Sequence, residues 1–337
     1  MVDWLTDALR APAVLVTVAI VEGSVPREPG AKMLVTREGF AGTIGGGHLE
    51  HRAIEMARAM LDEGGEGSPA RLERFALGPS LGQCCGGIAH LMFELADRDQ
   101  MALLDARRNV DSIRVVAFDA GWALFDGDGT QIAGDPVPAF DRTRGTHVMH
   151  DESGRRWLVD PILAPRSHLM LFGAGHVGAA IVRALADLPC RVTWVDERDD
   201  MFPPVVPANV TVEATDTPEA LVGAAAPGTT FLVMTHSHAL DLRLSIAILS
   251  RPGSAHAADW FGLIGSDTKR RQFEHRLRER GIDQARIDAM VCPIGLPGIA
   301  GKAPAVIAAS CAAQLLTVWE ALETGAASPL QVSSESN

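Results

Sequence analysis

The sequence predicts a two-domain α/β protein. A smaller α+β domain over residues 1–163 precedes a doubly wound parallel sheet over residues 164–325, and residues 326–337 form a disordered tail. Strand and helix patterns alternate after residue 166, which is typical of a parallel sheet with helices on both faces. A glycine-rich turn at 173–178 lies between an apolar run and a helical pattern. Before residue 166, short apolar runs separated by turn residues predominate.

Composition and charge exclude several classes of protein. The chain has 337 residues, of which 47% are hydrophobic and 21% charged, as in globular proteins. With 42 acidic and 30 basic residues, its net charge is −12, which argues against nucleic acid and anionic membranes as partners. The longest apolar runs, 13–21 and 303–316, are too short to cross a bilayer. The first residues lack the features of a signal peptide, and five cysteines suit a reducing compartment, so we expect a cytoplasmic protein.

The first domain is predicted to be mostly β. Turn residues separate its apolar runs, and residues 48–61 have apolar side chains at helical spacing. The predicted strands are 13–21, 32–36, 40–44, 72–77, 88–95, 113–119, 122–125, 131–133 and 157–162. Residues 164–166 read as the linker to the second domain.

Strands and helices are predicted to alternate regularly along the second domain. Its predicted strands are 168–172, 191–195, 209–213, 229–235, 261–265 and 290–293. The predicted helices are 176–188, 218–225, 238–250, 267–280 and 303–323, and Pro304 stands at the start of the last one, where its missing N–H is tolerated.

The turn at 173–178 indicates a nucleotide or phosphate site. Gly173 permits a tight turn, Gly175 lets the backbone approach a pyrophosphate, and Gly178 lets helix and strand pack closely. The helix that begins at His176 would direct free N–H groups towards phosphate. The next strand ends in Asp196, which can accept hydrogen bonds from a ribose 2′-hydroxyl and would favour NAD over NADP. A Rossmann-like domain that binds no dinucleotide is the alternative.

Two further polar segments follow predicted strands, where ligands of open α/β sheets bind. His236 and His238 could hold a metal, or they could belong to a polar loop with a helix N-cap. Ser266 can cap the next helix, and the basic residues 269–271 could contact a phosphate or form a solvated helix face.

The first domain has two candidate anion sites. Gly45, Gly46 and Gly47 form a turn that can direct successive N–H groups to an anion, although glycines are also common in tight turns. The proline-rich loop 24–32 carries Arg27 and Lys32, which suit a phosphate or carboxylate, and the alternative is a plain surface turn.

Cys84 and Cys85 are adjacent and are followed by Gly86 and Gly87. A vicinal disulfide would be strained, and no second Cys pair suggests structural zinc. An exposed thiol that contacts a soft metal or a sulfur species is one interpretation, and an incidental pair is the other.

Taken together, these segments resemble the XdhC/CoxI family. The resemblance covers nearly residues 12–322. It rests on the segments 21–33, 42–50, 81–87 with Glu94, 172–178, 234–241, 264–266 with Lys269, and 293–296.

The resemblance implies a xanthine dehydrogenase accessory protein with no turnover chemistry of its own. Such proteins bind the molybdenum cofactor, a pyranopterin phosphate (molybdopterin) that carries molybdenum. They hold it while a cysteine desulfurase supplies its sulfido ligand, and they insert it into xanthine dehydrogenase. The family also suggests a homodimer.

Motifs and resemblance together give one set of candidate cofactor-binding residues, with no catalytic residue. They are Arg27, Lys32, Gly45, Gly46, Gly47, Glu50, Cys84, Cys85, Gly86, Gly87, Gly173, Gly175, His176, Gly178, Asp196, His236 and Ser266. Cys84 and Cys85 are expected to contact molybdenum or its sulfido ligand.

Two other functions stay open. An NAD-dependent oxidoreductase would use the turn at 173–178 and Asp196 for its cofactor, and His236 or His238 as acid or base. A sulfurtransferase would carry a persulfide on Cys84 or Cys85.

Overall fold

The computed structural model describes residues 4–8, 11–63, 70–78, 86–251 and 259–324. The chain divides into two compact units, Met1–Ala164 and Pro165–Asn337, which we call the front unit and the back unit. Cys84, Cys85 and the predicted tail 326–337 lie outside the described residues.

The front unit contains two antiparallel five-stranded sheets. Sheet A has the order β3-β2-β1-β5-β4, with β1 Val14–Glu22, β2 Lys32–Val35, β3 Phe40–Gly42, β4 Arg71–Ala76 and β5 Ile88–Leu95. Sheet B has the order β8-β7-β6-β10-β9, with β6 Ser112–Ala117, β7 Trp122–Asp126, β8 Gln131–Gly134, β9 His147–His150 and β10 Arg156–Ile162. The helices described in this unit are α1 Trp4–Ala8, α2 Gly47–Glu63 and α3 Arg98–Ala106.

Strand β1 is apolar along most of its length because both of its faces are buried. Val16 and Val18 pack in the same cluster as Leu49 and Ala53 of α2. Leu15, on the opposite face, packs with residues of α1 and α3. A strand covered on both sides reads as a continuous apolar run, as residues 13–21 do.

The back unit has one parallel sheet of five strands. Its order is β13-β12-β11-β14-β15, with β11 Ser167–Phe172, β12 Cys190–Asp196, β13 Val210–Ala214, β14 Thr230–Val233 and β15 Phe261–Leu263. The helices described here are α4 His176–Leu185, α5 Pro218–Ala224, α6 His238–Leu249, α7 Asp267–Glu279, α8 Gln284–Asp288 and α9 Pro304–Thr324. A 3₁₀ turn covers Asp199–Met201.

Strand β11 contributes side chains to two cores. Leu171 packs with residues of α4 and α9 on one face of the sheet, whereas Phe172 packs with residues of α6 and α7 on the other. Helices therefore cover both faces, and the predicted doubly wound parallel sheet after an α+β region is confirmed.

Several elements differ from the prediction. The predicted strand 290–293 is reduced to one isolated bridge between Gly262 and Val291. Helices α1, α3 and α8 and strand β9 were not predicted, since each is short and lacks an extended apolar period.

Helix α9 is long and apolar enough, by length and composition, to cross a membrane, but half of its most apolar window is buried, as in a core helix. Its polar residues Ser310 and Gln314 are buried as well. They hydrogen-bond the loop before the helix: Ser310 Oγ accepts from the Leu296 N–H, and the Gln314 amide pairs with both backbone groups of Gly295.

Candidate functional site

The glycine turn of the front unit encloses a carboxylate of the protein itself. Gly45, Gly46 and Gly47 all have positive φ, at 127°, 76° and 64°, which L-residues with side chains rarely adopt. The Oε2 atom of Glu50 accepts from the N–H groups of Ile44 at 3.1 Å and Gly46 at 2.8 Å. The hydroxyl of Thr43 donates to the same atom at 2.6 Å. The N–H groups of this turn therefore have an acceptor within the protein, which is the side chain of Glu50.

The proline-rich loop lies against the same turn. A Cβ atom at Gly45 would be 2.4 Å from the Cγ atom of Pro26, so only glycine permits this contact. Arg27 follows directly and is exposed. The turn therefore fixes the part of the loop that carries the Arg27 guanidinium.

A third predicted segment meets this loop. The Gly87 N–H donates to Ser24 O at 3.0 Å, and a Cβ atom at Gly87 would be 2.3 Å from that oxygen. Gly86 is exposed. The structure thus brings together the loop 24–30, the turn 45–47 and the residues that directly follow the Cys84–Cys85 pair in the sequence.

Lys32, by contrast, is part of a buried ionic cluster, which we define as Lys32, Glu94, Arg114 and Asp160. The Nζ atom of Lys32 donates to Asp160 Oδ1 at 2.9 Å and to Gly30 O at 2.8 Å. Arg114 Nε donates to Asp160 Oδ2 at 3.0 Å. Arg114 Nη2 and Glu94 Oε1 are 2.7 Å apart as an ion pair, without the alignment of a hydrogen bond. We therefore infer that Lys32, predicted as an anion contact, instead anchors the end of the loop.

The pKa values of the two carboxyl groups of the cluster shift in opposite directions. Burial alone would raise the pKa of Asp160, but the charges of Lys32 and Arg114 hold it below its usual value. Burial raises the pKa of Glu94, and the nearby Arg114 only partly opposes this. Asp160 is the firmly ionised centre between two cations.

The candidate site of the back unit lies at the topological switch point of its sheet, where two neighbouring strands are followed by helices on opposite faces. Strands β11 and β14 are neighbours, and the helices that follow them, α4 and α6, lie on opposite faces. A Cβ atom at Gly173 would be 2.3 Å from Met234 O, and one at Gly178 would be 2.1 Å from Gly173 O. At Gly175 a Cβ would meet nothing within 4 Å. The turn is therefore closely packed at Gly173 and Gly178, and it leaves space for a ligand at Gly175, directly before α4.

Asp196 is engaged by the protein. Its Oδ2 atom accepts from the Ala174 N–H at 2.7 Å and from Arg198 Nη2 at 3.0 Å. Its Oδ1 atom accepts from the N–H and the Nε of Arg198 at 3.0 and 2.9 Å. Burial alone would raise the pKa of Asp196, but the hydrogen bonds from Arg198 and Ala174 outweigh it and lower the pKa.

A buried ion pair stabilises the loop after β14. Lys269 Nζ donates to Asp241 Oδ2 at 2.6 Å, and Asp241 Oδ1 accepts from the N–H and the hydroxyl of Thr235. His236 is exposed, and with Asp196 and Glu197 it borders a small cavity of about 10 Å³ whose other walls are largely apolar. Sequence reasoning missed the roles of Asp241 and Lys269, although both occur in the segments on which the family resemblance rests.

Ser237 and Ser266 act as helix N-caps. Their hydroxyls accept from the N–H groups of Leu240 and Lys269, respectively. Both segments therefore contain the helix N-cap that their sequences suggest. Within the described ranges, no group of three or more His, Cys, Asp or Glu side chains could hold a metal ion.

The fold and these turns define the class of protein: an antiparallel α+β unit followed by a Rossmann-type nucleotide-binding fold. Two family models match the chain, the XdhC and CoxI family over residues 8–76 and the XdhC Rossmann domain over residues 169–315. Together they span more than half of the sequence, and the chain belongs to the XdhC family.

One solved structure agrees with this fold, and one further protein is similar in sequence. A protein from Bacillus halodurans, described as a xanthine dehydrogenase, has a crystal structure that matches with a TM-score of 0.67. The two are 21% identical, and the match covers 95% of this chain and 96% of that one. The uncharacterized protein YqeB of Escherichia coli K12 is 30% identical over 156 residues, which are 45% of this chain and 27% of YqeB. This chain therefore matches about a quarter of the length of that relative.

Proposed function

We propose that this protein is a carrier for the molybdenum cofactor in the maturation of xanthine dehydrogenase. It holds the cofactor while a cysteine desulfurase supplies the sulfido ligand, and it then inserts the cofactor into the molybdenum subunit. The observation that carries this proposal is the meeting of loop 24–30, turn 45–47 and Gly86–Gly87 in a member of the XdhC family.

The cargo combines a phosphate with a thiophilic metal, and the front unit offers a partner for each. Arg27 is exposed on a loop held by Gly45 and Gly87, and a guanidinium binds phosphate through paired hydrogen bonds. Because Glu50 already accepts from the turn at 45–47, we assign the phosphate to Arg27. The thiols of Cys84 and Cys85, next to Gly86 in the chain, are the soft ligands proposed for molybdenum or its sulfur.

Retention of the cofactor tests the proposal. The purified protein is mixed with molybdenum cofactor released from a molybdoenzyme and passed over a sizing column, and pterin fluorescence and molybdenum are measured in the protein peak. We expect co-elution, which the Arg27→Ala variant weakens by between about tenfold and a hundredfold, because a charge-assisted hydrogen bond contributes about 1.5–3 kcal/mol. The Cys84→Ala/Cys85→Ala variant should lose molybdenum while it keeps part of the pterin.

A matched control is Arg37→Ala, which removes another exposed arginine of the front unit. Arg37 pairs with Asp62 and the carbonyl of Leu61 at the C-terminal end of α2, whereas the turn at 45–47 lies at its N-terminal end. Its retention should equal that of the wild type. Absence of co-elution in the wild type would contradict the carrier function, and equal retention in all variants would contradict the assigned residues.

Partner steps can be measured separately. Loaded protein should restore activity to apo xanthine dehydrogenase, and it should do so better after incubation with a cysteine desulfurase and cysteine. Light scattering on the same sample tests the proposed homodimer. A persulfide on Cys84 or Cys85, seen by mass spectrometry before any cofactor is added, would favour the sulfurtransferase alternative instead.

A further inference from the structure

The carboxylate that Rossmann-type folds use to bind ribose is occupied in this chain by a neighbouring arginine. Asp196 ends β12 beside the glycine turn, where an acidic residue commonly accepts from the ribose 2′-hydroxyl. Four donors, from Ala174 and Arg198, contact its two oxygens. A carboxylate offers about four lone-pair positions, so this one is saturated.

We propose that Arg198 is a specificity-determining residue that masks Asp196, so that the back unit does not recognise ribose hydroxyls. This inference is independent of the carrier function proposed for the front unit. It concerns the adenosine side of any nucleotide that reaches the turn at 173–178.

Displacement of Arg198 by a ribose is unfavourable for two reasons. The guanidinium makes two charge-assisted hydrogen bonds to the carboxylate, which are roughly twice as strong as neutral ones. The Asp196 side chain is only 2% exposed, although that of Arg198 is 35% exposed, so water screens the pair from one side only. A ribose hydroxyl would replace a charged donor with a neutral one.

Arg198 could also serve as a reader of a ribose 2′-phosphate, as arginines do in NADP-binding proteins. Local charge argues against this role. Glu197, Asp199 and Asp200 are exposed on either side of Arg198, in addition to Asp196 itself. The hydrogen bonds to Asp196, followed by the charges of Asp196, Asp200 and Glu197, raise the pKa of Arg198. The acidic side chains around Arg198 would repel a dianionic phosphate.

The test is a gain of binding. Calorimetric titration of the full chain compares ADP with 2′-deoxyADP. The wild type should bind both equally, within about twofold. Arg198→Ala frees two positions on the carboxylate, and we expect it to bind ADP at least tenfold more tightly than the wild type, with no gain for 2′-deoxyADP. Adding Asp196→Asn to Arg198→Ala should abolish the gain.

Arg243→Ala is the matched control. Arg243 pairs with Glu197 and Glu219, so its replacement removes one positive charge nearby without uncovering Asp196. It should behave as the wild type. Arg198→Lys, whose single ammonium cannot span both carboxylate oxygens, should show part of the gain.

Three results would overturn the proposal: no gain for ADP in a folded Arg198→Ala variant, an equal gain for both nucleotides, or a wild type that prefers ADP over 2′-deoxyADP by tenfold or more. Tight NADPH binding that Arg198→Ala abolishes would overturn it in favour of a 2′-phosphate site. If the Arg198→Ala variant fails to fold, the comparison of ADP with 2′-deoxyADP in the wild type still tests the proposal.

Discussion

The replacement of Asp160 by Asn should destabilise the front unit strongly. Asp160 is fully buried between Lys32 and Arg114, and Asn keeps its shape while it removes the negative charge. The buried ionic cluster would then hold two cations and only Glu94. Loss of one partner from a buried pair costs about 3–5 kcal/mol, and complete burial leaves no solvent to reduce this figure.

Hydrogen exchange read by mass spectrometry measures this loss within one unit. In Asp160→Asn, amides of Arg156–Ile162 should exchange between about a hundredfold and several thousandfold faster, as 3–5 kcal/mol requires. Peptides from Cys190–Asp196 in the back unit serve as the internal standard.

Two variants control for other causes. Asp119→Asn makes the same chemical change at an exposed partner of Arg155 and should leave exchange almost unchanged. Lys32→Met combined with Asp160→Asn restores electrical balance, so the double variant should lose less stability than the sum of the singles, by about 0.5–3 kcal/mol. An increase in exchange below tenfold in Asp160→Asn would refute the assigned role of the cluster.

Two further outcomes follow from the titratable groups. Burial, together with the charge of Arg191, lowers the pKa of His168 to about 4, so the unfolded state takes up a proton first as the pH falls below about 6.5. Stability present above that pH is lost on acidification, and His168→Asn should flatten the loss seen by back-unit exchange between pH 7 and pH 5; an unchanged slope would contradict this. Burial raises the thiol pKa of Cys190 and Cys292 to about 11 and of Cys311 to about 12. A disulfide reagent at pH 7.5 should therefore react quickly with Cys84 and Cys85 alone, and fast reaction in Cys84→Ala/Cys85→Ala protein would disprove this.

The sequence predicts the back unit well because its signals are local. Each strand of the parallel sheet is a short apolar run, and polar or capping residues such as Ser237 stand at the helix ends. Bounds such as His238–Leu249 therefore fall within a residue or two of the prediction. Helix α3 also had a local signal: Asp97 caps it by accepting from the Gln100 N–H. The predicted strand at 290–293 failed because a short apolar run does not reveal whether a partner strand extends beside it.

The sequence predicts which segments form the candidate sites, but it does not predict which side chains contact each other there. Residue types alone indicated a turn at 45–47 that can direct N–H groups to an acceptor, and a carboxylate beside the turn at 173–178. They could not show that Glu50 fills the first or that Arg198 covers the second, since these are choices between a ligand and the protein's own side chains. The partnership of Lys32 and Asp160, 128 residues apart, depends on how two sheets come together and leaves no periodic trace.

The division of the chain at residue 164 has a consequence for biosynthesis. All ten strands of sheets A and B precede the first strand of the parallel sheet, which begins at Ser167. A ribosome therefore releases every residue of the loop, the turn and the thiol pair before any of the nucleotide-type fold has emerged. Within the later fold, the central strand β11 pairs with β12 on one side and β14 on the other. Strand β14 is translated some 60 residues after β11, so the backbone groups on that side of β11 stay unpaired until then.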